Sequence, residues 1–228
     1  MLLHRYLFIV TLIFSVNTTL AQDKINQYDA DGNRHGVWKK YYESSDQLRY
    51  EGTFDHGKEI GVFKYYCGDC EDNPTVIKTF NDNDSSAHVQ FLTVKGKLVS
   101  EGKMIGKDRI GEWVYYHKSS DKVMTREFYK KGKLEGMKVT YYTNDQITEE
   151  TEYKNGLKEG IDNFYSPEGI QIKKLLYKNG LMHGPAYYYD SKGSIILEGN
   201  YKEGKKDGLW KHYKDGVLIK EETFPKSH

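Results

Sequence analysis

The chain has 228 residues with nearly balanced charge, 34 Lys and Arg against 33 Asp and Glu. A nucleic-acid-binding protein ordinarily shows a basic excess gathered on one face, so this balance argues against a nucleic-acid partner. Aromatic residues make up 14% of the chain, and 20 residues are tyrosine. Because leucine and valine are few, we expect aromatic rings to take the place of an aliphatic core.

Residues 1–21 are predicted to be a secretory signal peptide. His4 and Arg5 precede an apolar stretch, and Ala21 ends the segment as a suitable cleavage site. The apolar stretch is too short to span a membrane, so no transmembrane segment is expected in the mature chain. Residues 22–27 are expected to form a flexible N-terminus. The protein is therefore predicted to be exported, either to the periplasm or to the cell surface and extracellular space.

A glycine that precedes aromatic residues recurs about every 25 residues. The separations between successive glycines of this set are 25, 50, 25, 24, 24 and 24 residues, and we call the set the phase glycines: Gly36, Gly61, Gly111, Gly136, Gly160, Gly184 and Gly208. The double interval predicts a degenerate third unit near residues 68–92, with Ser86, His88 and Phe91 at the glycine, aromatic and tyrosine positions. A fixed period of this length indicates an array of about eight units over residues 28–225, with 226–228 as a tail.

Each period contains two turn signals. One lies just before the next phase glycine, as in Asn155-Gly156, and the other lies on the far side of the unit, as in Asp215-Gly216. An Asn-Gly pair between aromatic and β-branched residues is a strong hairpin signal. Two turns per period give two strands per period, so the sequence predicts an all-β fold: an elongated, single-layer antiparallel meander of repeated β-hairpins.

The repeated pattern resembles the MORN repeat. In the segment from residue 51 to 63, Phe54 is followed by the turn glycine Gly57 and by Gly61 before Phe63. The longer period with a closing tyrosine is similar to the bacterial variant in proteins labelled YwqK-family antitoxins. The resemblance implies a twisted sheet of hairpins, and it raises an antitoxin-like neutralising role. Lys138 and Asp162 depart from the pattern because each stands where an aromatic residue is expected.

The candidate stacking and interaction residues are the aromatics two and five positions after each phase glycine. In a regular strand, positions separated by an odd number point to opposite faces. Either both faces carry an aromatic row, or a bulge realigns the tyrosine, and both arrangements remain open. The candidates are Trp38, Tyr41, Phe63, Tyr66, Trp113, Tyr116, Tyr141, Tyr165, Tyr189, Trp210 and Tyr213.

Candidate chemical groups are few. In an exported chain, Cys67 and Cys70 are expected to form a local disulfide or to remain as loop thiols. A redox pair would need a helix N-terminus, and a zinc site would need two further ligands. His35 and His183 both precede a phase glycine, so the repeat register accounts for them without chemistry. The sequence therefore predicts a protein that is not an enzyme and has no cofactor and no metal ligand.

The functional hypotheses differ in the class of partner. An extended repeat sheet suits a protein-interaction scaffold in the cell envelope, whose partner would be another protein. Lysines at the hairpin turns suggest an alternative surface for envelope glycan or anionic lipid head groups, although acidic residues in the same turns neutralise much of it. Antitoxin-like neutralisation is the third hypothesis. The lysines expected in that row are Lys58, Lys107, Lys133, Lys158, Lys205 and Lys206.

Overall fold

The computed structural model describes residues 24–43, 45–68 and 73–225, and within them the fold is all-β with no helix. The predicted signal peptide and the C-terminal tail lie outside the described residues. The strands are β1 (Gln27–Tyr28), β2 (Arg34–Tyr41), β3 (Leu48–Asp55), β4 (Lys58–Tyr65), β5 (Val76–Phe80), β6 (Ser86–Leu92), β7 (Leu98–Ile105), β8 (Asp108–Tyr116), β9 (Val123–Lys130), β10 (Lys133–Leu134), β11 (Gly136–Tyr141), β12 (Ile147–Lys154), β13 (Leu157–Tyr165), β14 (Gln171–Lys178), β15 (Leu181–Met182), β16 (Gly184–Tyr189), β17 (Ile195–Lys202), β18 (Lys205–Lys214) and β19 (Val217–Phe224).

The strands form one open antiparallel meander, which confirms the predicted fold class. Each strand pairs with the strands before and after it in the chain, from β1–β2 to β18–β19. The short strands β10 and β15 pair with β9 and β14, whose other residues pair with β11 and β16. Within the described residues each strand packs mainly on its sequence neighbours, so the sheet is a single layer.

The tight turns have the backbone conformation that their sequences predict. Asn155 and Gly156 have φ angles of 51° and 85°, as a type I′ hairpin turn requires at both central positions. Asparagine and glycine tolerate this left-handed region better than other residues. The same pair of positive angles occurs at His56-Gly57, Lys131-Gly132, Asn179-Gly180, Glu203-Gly204 and Asp215-Gly216.

The N-terminal segment expected to be flexible is partly held by the sheet. Asn26 donates its backbone N–H to the Val37 carbonyl oxygen at 2.8 Å, and its side-chain oxygen accepts the Lys39 N–H at 2.8 Å. Gln27 then pairs with His35 in the first strand ladder. The array therefore begins with bonded backbone at residue 26, two residues before the predicted start.

The third unit is present, but it begins one residue later than predicted. Phase glycines pair with the aromatic landmark of the next strand, as Gly36 pairs with Phe54. In the third unit the residue that pairs with the corresponding landmark, Met104, is Ala87 and not Ser86. Ala87 therefore occupies the glycine position.

The same shift moves the aromatic position from His88 to Val89 and the tyrosine position from Phe91 to Leu92. Val89 is 1% exposed, whereas the His88 imidazole reaches Glu101 at 3.1 Å on the other side of the strand. The predicted register would have buried a polar imidazole and exposed an aliphatic side chain, which is unfavourable.

The buried side chains lie on one face of the sheet, which we call the ring face because it carries Phe63, Trp113 and Trp210. These residues form three clusters, centred on Phe63, on Trp113 with Val89, and on Trp210 with Leu175. Partly buried tyrosines and phenylalanines pack against each cluster. Cohesion therefore runs along the sheet, from strand to adjacent strand.

Candidate interaction surface

Tryptophan and phenylalanine on the ring face lie flat on a glycine of the preceding strand. A Cβ atom built on Gly102 would stand 2.5 Å from Trp113 Cδ2, and Gly52 and Gly199 stand in the same relation to Phe63 and Trp210. Trp113 is fully buried, and its Nε1–H donates to the Lys103 carbonyl oxygen at 3.0 Å. These rings fill the space above a glycine, so they stabilise the sheet and present little area to a partner.

Cationic side chains cover several of these rings from the solvent side. The guanidinium carbon of Arg109 lies 4.4 Å from the centroid of the Trp113 ring, and Lys206 Nζ lies 4.2 Å from that of Trp210. Cation–π contacts of this kind are attractive, and they also exclude water from the ring. The residues concerned stand two positions before a phase glycine: Arg34, Arg109, Lys158 and Lys206.

This arrangement corrects the predicted lysine row. Lys158 and Lys206 do not extend from the turn edge, because both lie against aromatic rings of the ring face. Lys158 also donates to Asp162 Oδ2 at 2.8 Å and to Glu149 Oε1 at 3.0 Å. A continuous basic edge is therefore absent from the described part of the chain.

The two departures from the aromatic pattern are matched by changes in the residue that faces them. Where Lys138 replaces the aromatic residue, its Nζ pairs with Glu127 Oε1 at 3.1 Å. Where Asp162 replaces it, Thr151 donates its hydroxyl to Asp162 Oδ1 at 2.7 Å. In both units the facing residue stands eleven positions earlier, as Gly102 does for Trp113.

The polar pairs form a buried charged cluster between two apolar clusters. Asp162 is fully buried, and its burial raises the pKa of its carboxyl group above the ordinary value. Burial alone would also raise the pKa of Glu149, but the hydrogen bond and charge of Lys158 outweigh it and lower that pKa. The Lys158 ammonium is thereby held in its charged form. The cluster is a satisfied ionic core.

The opposite face carries tyrosines, and we call it the tyrosine face. Glu51 follows Tyr50 and precedes Gly52, the residue beneath Phe63, so it points away from the ring face. Tyr66 donates its hydroxyl to Glu51 Oε1 at 2.9 Å. The sheet therefore has aromatic residues on both faces, which decides between the two arrangements left open by the sequence.

The tyrosine–glutamate pair recurs along the tyrosine face, at Glu51–Tyr66, Glu101–Tyr116, Glu150–Tyr165 and Glu198–Tyr213, with oxygen–oxygen distances from 2.5 to 3.1 Å. Partial burial, together with the hydrogen bond to glutamate, raises the pKa of Tyr66 and of Tyr116 to about 12. Burial alone would raise the pKa of Glu101, but the bonds from Tyr116 and its polar neighbours lower it. The repeated glutamates thus orient the phenol groups.

A β-bulge places an additional side chain next to each of these tyrosines. Between Tyr115 and Tyr116 the pairing register shifts, because Tyr115 pairs with Thr125 and Tyr116 with Val123, so Met124 has no direct partner. Alternation along the strand puts that residue on the tyrosine face. The bulge residues that are apolar and exposed are Val99, Met124, Ile172, Ile196 and Ile219, with exposed fractions from 36% to 62%.

Tyrosines and bulge residues therefore alternate across successive strands in a single row, which we call the tyrosine–aliphatic row. Tyr41 begins it with 46% exposure, and Tyr141 and Tyr189, each partly buried, lie at equivalent positions. A second apolar series, one residue after the phase glycines, is also exposed at Val62, Met137, Ile161 and Leu209. Between the two series lies a band of charged residues that includes Glu51, Glu101, Arg126, Glu150, Lys174 and Glu198.

The sequence predicted the members of these rows unevenly. The tyrosines were identified, whereas the bulge residues were missed because alternation alone does not reveal an extra residue. Their recurrence at a spacing of 24 residues, as in Ile172 and Ile196, is the signal that could have found them. Cys67 follows β4, but Cys70 lies outside the described residues, so the disulfide stays a prediction.

The chain matches no protein-family model and no curated protein. The MORN-type resemblance therefore stays a prediction, while the hairpin array that it implied is seen in the structure. Among residues 24–43, 45–68 and 73–225, no helix has the length and apolar character needed to cross a membrane.

Proposed function

We propose that this protein is an exported, non-catalytic scaffold of the cell envelope that binds another protein through its tyrosine face. The observation that carries the proposal is the tyrosine–aliphatic row, in which phenol groups alternate with exposed side chains such as Met124, Ile172 and Ile196. Contiguous apolar surface rimmed by polar groups is characteristic of protein-interaction sites.

The two faces differ in what they offer a partner. On the ring face, Trp113 and Trp210 are fully buried and are covered by Arg109 and Lys206. On the tyrosine face, the aliphatic bulge residues are exposed and the tyrosines are already oriented by glutamates. Tyrosine contributes large contact area at a small cost in side-chain entropy, so a pre-oriented row favours binding. Recognition is therefore assigned to the tyrosine face.

The charged band supports selectivity for a protein. Glu51 lies 3.4 Å from Lys39 Nζ and 3.5 Å from Lys64 Nζ, and Arg126 donates to Glu112 at 2.8 Å. Alternating charges of this kind fix the register of a partner more than they add to affinity. The glutamates that might have suggested acid–base catalysis are bonded to tyrosines, which agrees with a non-catalytic role.

The test is affinity capture from the envelope fraction with two variants of closely matched exposure. Ile196→Lys places a charge in the tyrosine–aliphatic row at a residue that is 40% exposed. Val94→Lys makes the same change at a residue that is 41% exposed in the loop between β6 and β7. We expect the unchanged chain and Val94→Lys to recover the same stoichiometric protein, and Ile196→Lys to lose it.

Two other outcomes would favour the alternative functions. Retention on peptidoglycan or anionic liposomes that falls with salt, without a protein partner, would support a glycan- or lipid-binding surface. Growth arrest caused by a neighbouring reading frame only when this chain is missing would support toxin neutralisation. Equal recovery of the partner by both lysine variants would refute the assignment to the tyrosine face.

A further inference from the structure

Three potential metal ligands converge at the first tight turn of the array. His35 Nδ1 lies 3.6 Å from Asp55 Oδ1, and His56 Nε2 lies 3.9 Å from the same oxygen. The ligand atoms of all three residues lie within 4.8 Å of one another, and the two imidazole centroids are 4.8 Å apart. In a tetrahedral zinc site with bonds of about 2.0–2.1 Å, ligand atoms are separated by about 3.3 Å, so small side-chain adjustments suffice.

The protonation pattern directs three lone pairs to the same point. Asp29 Oδ2 lies 2.7 Å from His56 Nδ1, and because an ionised carboxylate only accepts hydrogen bonds, His56 must donate from Nδ1. The Nε2 atom of neutral His56 then carries a lone pair. His35 Nδ1 accepts the His56 backbone N–H at 3.5 Å, so it also has its lone pair on this side. Together with the Asp55 carboxylate, these are three acceptors with no proton between them.

Asp29 has the position of an outer carboxylate that orients a metal-binding histidine. Its side chain is only 8% exposed, and its Oδ1 accepts the backbone N–H groups of Asp31 at 3.0 Å and Asn33 at 2.8 Å. A carboxylate that holds the second ring nitrogen of a ligating histidine is the usual companion of zinc sites. This contact was formed by a residue 27 positions away in the sequence, so the turn itself does not require it.

The other units show that the first turn is unusual. In the fifth and sixth units, the residue before the phase glycine is a glutamate, Glu135 or Glu159, whose carboxylate accepts the next turn's N–H at 2.8 or 2.7 Å. In the first unit that structural bond is long, and histidine occupies both positions. His183 stands in the same slot of the seventh unit, but the turn that follows it carries Glu203 and not a second histidine.

We propose that His35, Asp55 and His56 bind one divalent transition-metal ion, with zinc as the ion that fits two imidazoles and a carboxylate. The side chains are 49%, 56% and 65% exposed, so the ion can enter and a water molecule can complete the coordination. Asp29 acts as a positioning residue through His56. The ion would connect β2 to the turn between β3 and β4 and so close the N-terminal end of the array.

The test is equilibrium dialysis of untagged protein against zinc chloride, with cobalt(II) absorption as a second measurement. The expected result is one zinc ion per chain and a cobalt spectrum typical of four-coordinate geometry. His35→Ala and His56→Ala should each lower zinc affinity by more than Asp29→Asn, for which a loss of about ten- to hundredfold is expected. Asn at residue 29 can still accept the turn N–H groups, so that variant isolates the contact to His56.

The matched control is His183→Ala, which removes a histidine from the same repeat position without a partner histidine in the next turn. Its zinc affinity should equal that of the unchanged protein. The proposal is overturned if the unchanged chain binds no zinc, if zinc remains bound with equal affinity in His35→Ala and His56→Ala, or if His183→Ala causes the same loss. Circular dichroism of each variant confirms that the sheet is intact.

Discussion

Replacement of Trp113 by alanine should strongly destabilise the array around β8. The ring is fully buried against Gly102, and its N–H donates to the Lys103 carbonyl oxygen at 3.0 Å. Burial of about 200 Å² of aromatic surface at ~25 cal/mol/Å² corresponds to ~5 kcal/mol. Measured losses for Trp→Ala in protein cores are about 3–5 kcal/mol, so we expect about 4 kcal/mol here.

Urea unfolding followed by tyrosine and tryptophan fluorescence measures this loss. Lys118→Ala is the control, because its side chain is exposed in the loop after β8 and only its carbonyl oxygen accepts a bond, from Lys97. That substitution should change the free energy of unfolding by no more than about 0.5 kcal/mol. Equal unfolding midpoints for the two variants would refute the claim that the rings hold the hairpins together.

Three further predictions follow from the facing pairs. Because the seventh unit fills the same positions with Leu175 and Ala186, Gly102→Leu combined with Trp113→Ala should be more stable to urea than Trp113→Ala alone; no gain would contradict the pairing rule. Lys158→Met leaves Asp162 buried without its cation and should cost about 3–5 kcal/mol, whereas Lys205→Met in an exposed turn should cost little; similar melting temperatures would count against the ionic core. The raised pKa values of Tyr66 and Tyr116 predict that their contribution to stability is complete below the ordinary tyrosine pKa of about 10 and is lost as the pH rises toward 12. In phenolate absorbance titrations Glu101→Gln should lower the pKa of Tyr116 and leave that of Tyr66 unchanged; a shift in both would show that the Glu101–Tyr116 pair is not the cause.

Turn chemistry and period made most of the fold predictable. Asn155-Gly156 can form a type I′ turn with little strain, and a regular recurrence of such turns leaves few alternatives to a hairpin array. The third unit was placed one residue early because the search relied on its lost glycine. Phe80 stands seven residues before Ala87, as Phe54 stands seven before Gly61, and that spacing was the better guide.

The candidate surface was only half predictable. Alternation placed tyrosines such as Tyr116 opposite the tryptophans, but a bulge depends on how two strands pair, and the strand's own pattern does not show it. The polar pair Thr151–Asp162 was visible only as a departure from the pattern. Its meaning required knowledge of which residues face each other, as did the approach of His56 to Asp29.

The central claim is that cohesion passes only between neighbouring strands. Amide hydrogen exchange of Trp210→Ala, compared with the unchanged chain, tests it most directly because local opening is resolved along the array. We expect amides in β16–β19 to lose protection while those in β2–β9 retain it. A uniform loss of protection in both halves of the sheet would contradict the claim.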